Sequence, residues 1–152
     1  MSQYRWKPRV TVAAVVESDN RFLLVEESID HRAVLNQPAG HLENGERIID
    51  AVTRECVEET AWTFEPQHLV GVYRWRSARN GDTYLRFTFC GPRITHDPAR
   101  ALDDQIVAVH WLTWAEICAR SDQLRSPLVL RSIEDYRRGQ RFPLTLLHDV
   151  ED

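Results

Sequence analysis

GHLENGERIIDAVTRECVEETAW, residues 40–62, is the stretch on which the reading of this chain turns. Residues 47–61 hold no Pro or Gly, and Asn44-Gly45 precedes them as a turn, so the pattern predicts a helix over about 47–61. Its second half carries Arg54, Glu55, Glu58 and Glu59. At about 100° per residue, Ile48, Val52, Glu55 and Glu59 fall within roughly a 60° arc, with Cys56 beside it. Two glutamates therefore share the stripe that should face the protein interior, and Glu58 lies on one flank. Like charges one turn apart repel weakly in water, but two unpaired carboxylates under partial burial cost far more or take up protons. Arg54 can pair with Glu58 at i,i+4, which leaves Glu55 and Glu59 without a local cation.

Two arrangements relieve that conflict. One is ion pairing with arginines elsewhere in the chain. The other is a hard divalent cation such as Mg²⁺, which takes oxygen ligands and is commonly held by one or two carboxylates together with substrate phosphates. The loop upstream favours the second. Gly40 and Gly45 let the backbone approach a ligand closely, and the Gly40 carbonyl is a further hard oxygen.

The spacing Gly40, five residues, Glu46, seven residues, then Arg54-Glu55-Cys56-Val57-Glu58-Glu59-Thr60-Ala61-Trp62 resembles the signature of the Nudix family, Gly-x5-Glu-x7-Arg-Glu-U-x-Glu-Glu-x-Gly-U, with U a bulky apolar residue. Every charged position is filled. Cys56 is a small choice for the first U, and Ala61 stands where the signature has glycine. At a helix end in left-handed backbone, alanine costs about 1 kcal/mol relative to glycine or forces another exit.

The resemblance implies a Nudix-type α/β/α sandwich with a mixed central sheet, formed by a single domain over 1–152 with its signature at 40–62. It implies hydrolysis of a diphosphate linked to another moiety, with Mg²⁺ as the cofactor and Mn²⁺ as a substitute. Glu55, Glu58, Glu59 and Arg54 would form the catalytic set. Glu55 and Glu59 would be metal ligands, Glu58 a further or water-mediated ligand, and the Gly40 carbonyl would complete the shell. Glu46 would steady the loop and helix through a salt bridge with Arg54. NQPAGHLE (36–43) and LRSPLVLRSIEDYRRGQRFPL (124–144) resemble one phosphatase branch of the family. The substrates of that branch would be nucleoside di- and triphosphates and thiamine-pathway pyrophosphates, hydroxymethylpyrimidine pyrophosphate and thiamine pyrophosphate. The alternatives are an ADP-ribose-type or house-cleaning nucleotide pyrophosphatase, and a non-catalytic nucleotide-sensing domain. The last should have lost a glutamate of the signature, and none is missing.

Cleaving a phosphoanhydride calls for charge neutralisation and an activated water more than for a covalent nucleophile. Glu58 or Glu55 is the expected base. Asp103 and Asp104, before the apolar run QIVAVHWLT (105–113), are alternative bases, and Asp104 is expected to add a metal ligand. Asn36, Gln37 and His41 flank Gly40 and are expected to touch substrate. Arg86, within a strand-like run, and Arg125, just before a helix start, are expected to grip phosphate. Trp75 and Tyr84 are candidates for stacking on a ring. His31, His68, His96, His110 and His148 show no ligand spacing.

Elsewhere, 9–18 and 21–28 read as strands joined in a hairpin by Ser18-Asp19-Asn20. Residues 29–40 read as loop with a short strand. Strands 68–77 and 83–91 turn at Asn80-Gly81-Asp82, and a strand follows at 105–113. WAEICAR begins a short helix with Thr113 as N-cap. A last helix spans 126–139, with Ser126 as N-cap, Pro127 in the first turn and Gly139 at the end.

The 152 residues are 43% hydrophobic and 28% charged, enough for a core without staples. A net charge of −4 argues against a broad basic nucleic-acid surface, so the expected partner is a small nucleotide or pyrophosphate. Three cysteines without paired spacing, Cys56, Cys90 and Cys118, read as buried free thiols. MSQYRWKPRV lacks the apolar core of a leader, and no run is long enough to span a membrane. The expectation is a cytoplasmic protein, either a monomer or a homodimer.

Overall fold

The computed structural model describes residues 5–152, so the leader reading of residues 1–10 lies partly outside the described residues. The elements run β1 (Arg9–Val15), β2 (Glu17–Ser18), β3 (Arg21–Ile29), β4 (Arg32–Asn36), β5 (Ala39–His41), α1 (Ile48–Thr60), β6 (Trp62–Phe64), β7 (His68–Arg76), β8 (Thr83–Cys90), β9 (Arg93–His96), β10 (Ile106–Leu112), α2 (Trp114–Ala119), α3 (Pro127–Arg137) and β11 (Phe142–Pro143). One sheet runs β11-β7-β8-β1-β5, and a second sets β3 among β10, β2 and β4. The β1–β8 pair is parallel, while β5–β1 and β7–β8 are antiparallel, so the central sheet is mixed as expected.

Two apolar layers sit on opposite faces of β1. Val12, Ala14 and Val16 pack with Ala51, Val52 and Cys56 of α1. Val15 joins Val129 and Ile133 of α3 and Ile117 of α2. The period-2 alternation of a strand sends successive side chains to opposite faces, which is why a run apolar at every position belongs at the centre of a sandwich. Val12–Val16 are at most 2% exposed.

The hairpin expected between 9–18 and 21–28 is corrected. Only β2 pairs with β3, across the left-handed pair Asp19 and Asn20. The body of β1 leaves for the other sheet, because the chain changes partners after Val15. Residues 29–40 contain two strands, not mainly loop. Asp30 and His31, both left-handed, turn β3 into β4 without a glycine to signal it.

The helix ends match the sequence closely. Thr113 and Glu116 form a reciprocal capping box on α2. The Ser126 side chain accepts from the Leu128 N–H at the start of α3, Pro127 is the first helical residue, and Gly139 is left-handed just past the end. Cys56 and Cys90 are buried free thiols, but Cys118 is exposed, since it falls on the solvent side of α2.

Candidate active site

The inward phase expected for the glutamate helix is present. Glu55 is 8% exposed and Glu59 2%. The expectation that Glu55 has no local cation is corrected: Arg54 Nη1 lies 2.9 Å from Glu55 Oε1 and 3.0 Å from Glu58 Oε2. Its Nε and Nη2 donate to the two oxygens of Glu46 at 2.6 and 3.0 Å, and Nη2 also donates to the His41 carbonyl at 3.1 Å. One planar guanidinium thus joins the loop after β5 to two turns of α1, a geometry that an ammonium cannot reproduce.

Gly40, in β5, packs directly on Glu55. A Cβ at residue 40 would overlap the Glu55 carboxyl group, so any larger residue there must displace that carboxylate. Glu59 enters from one turn further along α1, and its Oε2 accepts the Ala39 N–H at 3.1 Å.

Carboxylate oxygens of Glu55, Glu58 and Asp103 lie within 4.8 Å of one another. Asp103 reaches them because its backbone N–H donates to the Glu58 carbonyl at 3.0 Å, tying the loop before β10 to α1. Asp104, the expected ligand, is exposed and is not among the described residues lining the cleft, whereas its neighbour Asp103 lines it. Three hard oxygens, two from α1 and one from the loop before β10, suit a divalent cation.

The electrostatics give the same picture. Burial raises the Glu55 carboxyl above its usual range against the opposing pull of Arg54, and burial also raises Asp103. Glu59 is pushed up to about 9 by burial, opposed by the Ala39 N–H and reinforced by Glu27, Glu55 and Asp103. Acids gathered where their charge is this costly would be relieved by a nearby cation.

These groups line a cleft of about 880 Å³. Basic side chains line it too. Arg86 of β8 stands between Thr11 and Tyr73 on the flanking strands, buried, and its Nε donates to Thr11 Oγ1 at 3.4 Å. Burial pulls its pKa down to about 10, with Glu27 and Glu59 holding it up, so it stays charged at neutral pH. Arg125 Nη1 lies 3.3 Å from Glu27 Oε2, and Glu27, also buried, is raised by burial against the pull of Arg125. Sequence reading missed Glu27. Its only trace was a pair of acids ending an apolar strand.

Asn36 lines the cleft, whereas Gln37 is turned away. Its Nε2 donates to Ser132 of α3 at 2.7 Å, and it is not among the described residues lining the cleft. His41 lies on the rim, its imidazole held below the usual range by partial burial and by Arg9, Arg86 and Arg125. Trp75 and Tyr84 face each other across β7 and β8 and stack with centroids 5.2 Å apart on the cleft wall.

Comparison with known proteins follows the same lines. The family model described as NUDIX domain matches residues 7–131. The chain is 42% identical over 144 residues to the phosphatase NudJ of Escherichia coli K12, covering 95% of this chain and 93% of that one. A solved structure described as a NUDIX hydrolase from Nitrosomonas europaea superposes with a TM-score of 0.93 at 52% identity, over 95% of this chain and 98% of that one. The NUDIX domain of Shewanella oneidensis NrtR, solved with ADP ribose, shares the fold at a TM-score of 0.71 and 18% identity, over 89% of this chain and 90% of that one.

Proposed function

We propose, on the premise that this chain belongs to the Nudix family and is a hydrolase of phosphorus-containing anhydrides, that it is a Mg²⁺-dependent phosphatase of nucleoside di- and triphosphates and of thiamine-pathway pyrophosphates, hydroxymethylpyrimidine pyrophosphate and thiamine pyrophosphate among them. The observation that carries the reading is the convergence of Glu55, Glu58 and Asp103 in a cleft that Arg86 and Arg125 also line. That mixture of charges suits a phosphorylated small molecule. The likeness to a phosphatase over nearly the whole chain supports this branch over an ADP-ribose-type pyrophosphatase.

Glu55, Glu58 and Asp103 would hold Mg²⁺, or Mn²⁺ in its place, with Glu59 and the Gly40 carbonyl beside them. When bound, the cation neutralises phosphate charge and makes water a better nucleophile. Arg54 keeps Glu55 and Glu58 in place while its other edge is locked on Glu46. Glu58, the least buried of the three helix glutamates, is the carboxylate best exposed to take the water's proton. Asn36, His41, Arg86 and Arg125 bind substrate. Gln37 supports them from behind through its bond to Ser132. Among the described residues no helix is long and apolar enough to cross a membrane, and we place the enzyme in the cytoplasm as a monomer or homodimer.

The test is a phosphate-release assay over nucleoside di- and triphosphates, ADP-ribose and the two thiamine-pathway pyrophosphates, with Mg²⁺, Mn²⁺ or EDTA, and with every product identified. Orthophosphate from terminal positions supports the reading. A nucleoside monophosphate paired with a second phosphorylated product, as the main outcome, overturns it.

A further inference from the structure

The chain crosses between its two larger sheets twice, and both crossings lie at one end of β1. The first follows Val15, where the Leu23 N–H donates to the Val16 carbonyl at 3.0 Å. The second is Gln37-Pro38, between β4 and β5, where the Ala14 N–H donates to the Pro38 carbonyl at 2.9 Å. From these crossings the strands run out to turns at the opposite end. Tyr84 stands opposite Arg9 in the parallel β1–β8 pair, so the β7–β8 turn lies beyond the start of β1. The β3–β4 turn, Asp30-His31, lies at the end of β3 remote from Leu23. The cleft lies between the sheets, with Thr11, Tyr84 and Arg86 from one and Glu27 and Asn36 from the other. An ion pair joins the two turns: Arg79 Nη2 lies 2.6 Å from Asp30 Oδ2. Each turn is braced internally. The Ser77 N–H donates to the Asp82 carbonyl and the Gly81 N–H to the Ser77 carbonyl, each at 2.9 Å, while left-handed Asp30 and His31 close Ile29 onto Arg32. Arg79 lines the cleft, and Asp30 is not among the described residues that do.

We propose that Arg79 and Asp30 are a positioning pair that holds the two sheets at a set separation across the mouth of the cleft, and so limits the bulk of the group a substrate carries beyond its reacting phosphates. The size limit rests on the hydrolase reading above; the clamp itself does not. The sheets are tied covalently at the crossings, so their separation varies most at the turns, and a bond between the turns acts with the longest lever. Both side chains are mostly exposed, so water and salt compete with the bond, and it opens and recloses instead of locking the mouth. Asp30 acts through Arg79 and touches no substrate. If Arg79 instead served the substrate alone, loss of Asp30 would leave the mouth unchanged.

The test reads access to the cleft of the full chain without any ligand. Thr11→Cys places a thiol on the cleft wall, with the exposed Cys118 changed to Ser and with Cys56 and Cys90 buried. The readout is the labelling rate with pyrenylmaleimide, bulky and uncharged, divided by the rate with N-ethylmaleimide, so that the reactivity of the thiol cancels. Asp30→Asn, which keeps a residue tolerant of left-handed backbone, should raise this ratio about two- to fivefold, the range over which an exposed ion pair biases an equilibrium. Arg79→Gln should raise it equally and the double variant no further, since all three remove the same bond. Added NaCl should raise the ratio in the parent and not in Asp30→Asn. Arg138→Gln, which breaks an exposed pair on α3, leaves the ratio unchanged. Thermal melts confirm folding; if Thr11→Cys does not fold, Ser126→Cys, also on the cleft wall, replaces it. An unchanged ratio in Asp30→Asn, or rises that add in the double variant, overturns the clamp. In the Asp30 and Arg79 variants without the added thiol, kcat/KM for the bulkiest hydrolysed substrate should rise relative to that for the most compact. A ratio that rises without this shift in preference overturns the size limit. Access that depends on Asp30 in a protein that hydrolyses nothing in the panel would sink the hydrolase reading and leave the clamp standing. Hydrolysis with access indifferent to Asp30 would do the reverse.

Discussion

Gly40 and Glu55 interlock: the hydrogen side of the glycine is the floor on which the Glu55 carboxyl group rests. Gly40→Ala should therefore move Glu55 without disturbing the core. We expect activity to fall by about 100-fold, the order associated with a misplacement near 1 Å. Far-UV circular dichroism should stay unchanged. A fully active Gly40→Ala enzyme would contradict the packing.

Asp103 and Asp104 should separate cleanly. Asp103→Asn removes an oxygen from the acidic trio and should raise the Mg²⁺ concentration for half-maximal activity by about tenfold or more. Asp104→Asn removes an exposed charge and should change it less than about twofold. Mg²⁺ activation curves for the two variants decide the matter, and the reverse order would assign the site to Asp104.

Arg54→Lys keeps the charge and loses the fork. A single ammonium cannot serve Glu46, Glu55 and Glu58 together. We expect kcat to fall by about tenfold or more with KM little changed, because what is lost is the placement of carboxylates and not contact with substrate. A loss confined to KM would instead make Arg54 a substrate-binding group.

The acidic cluster should also be visible in the stability of metal-free protein. Glu59 titrates near 4.5 when unfolded and near 9 when folded, so between those values the native state keeps a proton that the unfolded chain has released. Stability with EDTA should therefore fall as pH rises from 7 to 9, a window above the range of His41, whose lowered pKa acts in the opposite sense. For one fully linked proton the slope approaches about 1.4 kcal/mol per pH unit. Glu59→Gln should flatten it, and Mg²⁺ should stabilise most at the alkaline end. Urea melts across that window measure both effects; stability that rises from pH 7 to 9 would rule out a proton held on Glu59.

Ala61 is left-handed, with φ of 60°, and caps α1 through its N–H to the Val57 carbonyl. Ala61→Gly relieves that backbone at the cost of a buried methyl group, so a net gain of up to about 1 kcal/mol is expected. A shift of the urea midpoint to higher concentration at unchanged slope would register it.

Much of the site was legible because a helix has fixed phase. Spacing alone turned Glu55 and Glu59 inward, and Ala61 announced the left-handed exit it makes. Loops and strand ends carry no such phase. Asp103 and Asp104 are equivalent in sequence, and only the bond from Asp103 to Glu58 selects one of them. Asn36 and Gln37 are neighbours at a strand end, where adjacent side chains point opposite ways, so without the sheet neither could be assigned to the cleft. The long hairpin expected over 9–28 fails for a related reason. Asp19-Asn20 does turn the chain, but that turn serves only two residues of pairing before β1 joins another sheet. Glu27 left almost no trace, because its role depends on Arg86 and Arg125, which are distant in the chain.

Two backbone bonds fasten the segment after β9 to the end of α1: Asp97 N–H to the Ala61 carbonyl, and Asp103 N–H to the Glu58 carbonyl, both at 3.0 Å. The stretch between them works as a ruler. Its side chains from 98 to 102 are mostly exposed, so the number of residues there matters more to the site than their identity. A deletion there, harmless to composition and charge, would pull Asp103 out of register with the helix glutamates, so the site constrains this loop through its length.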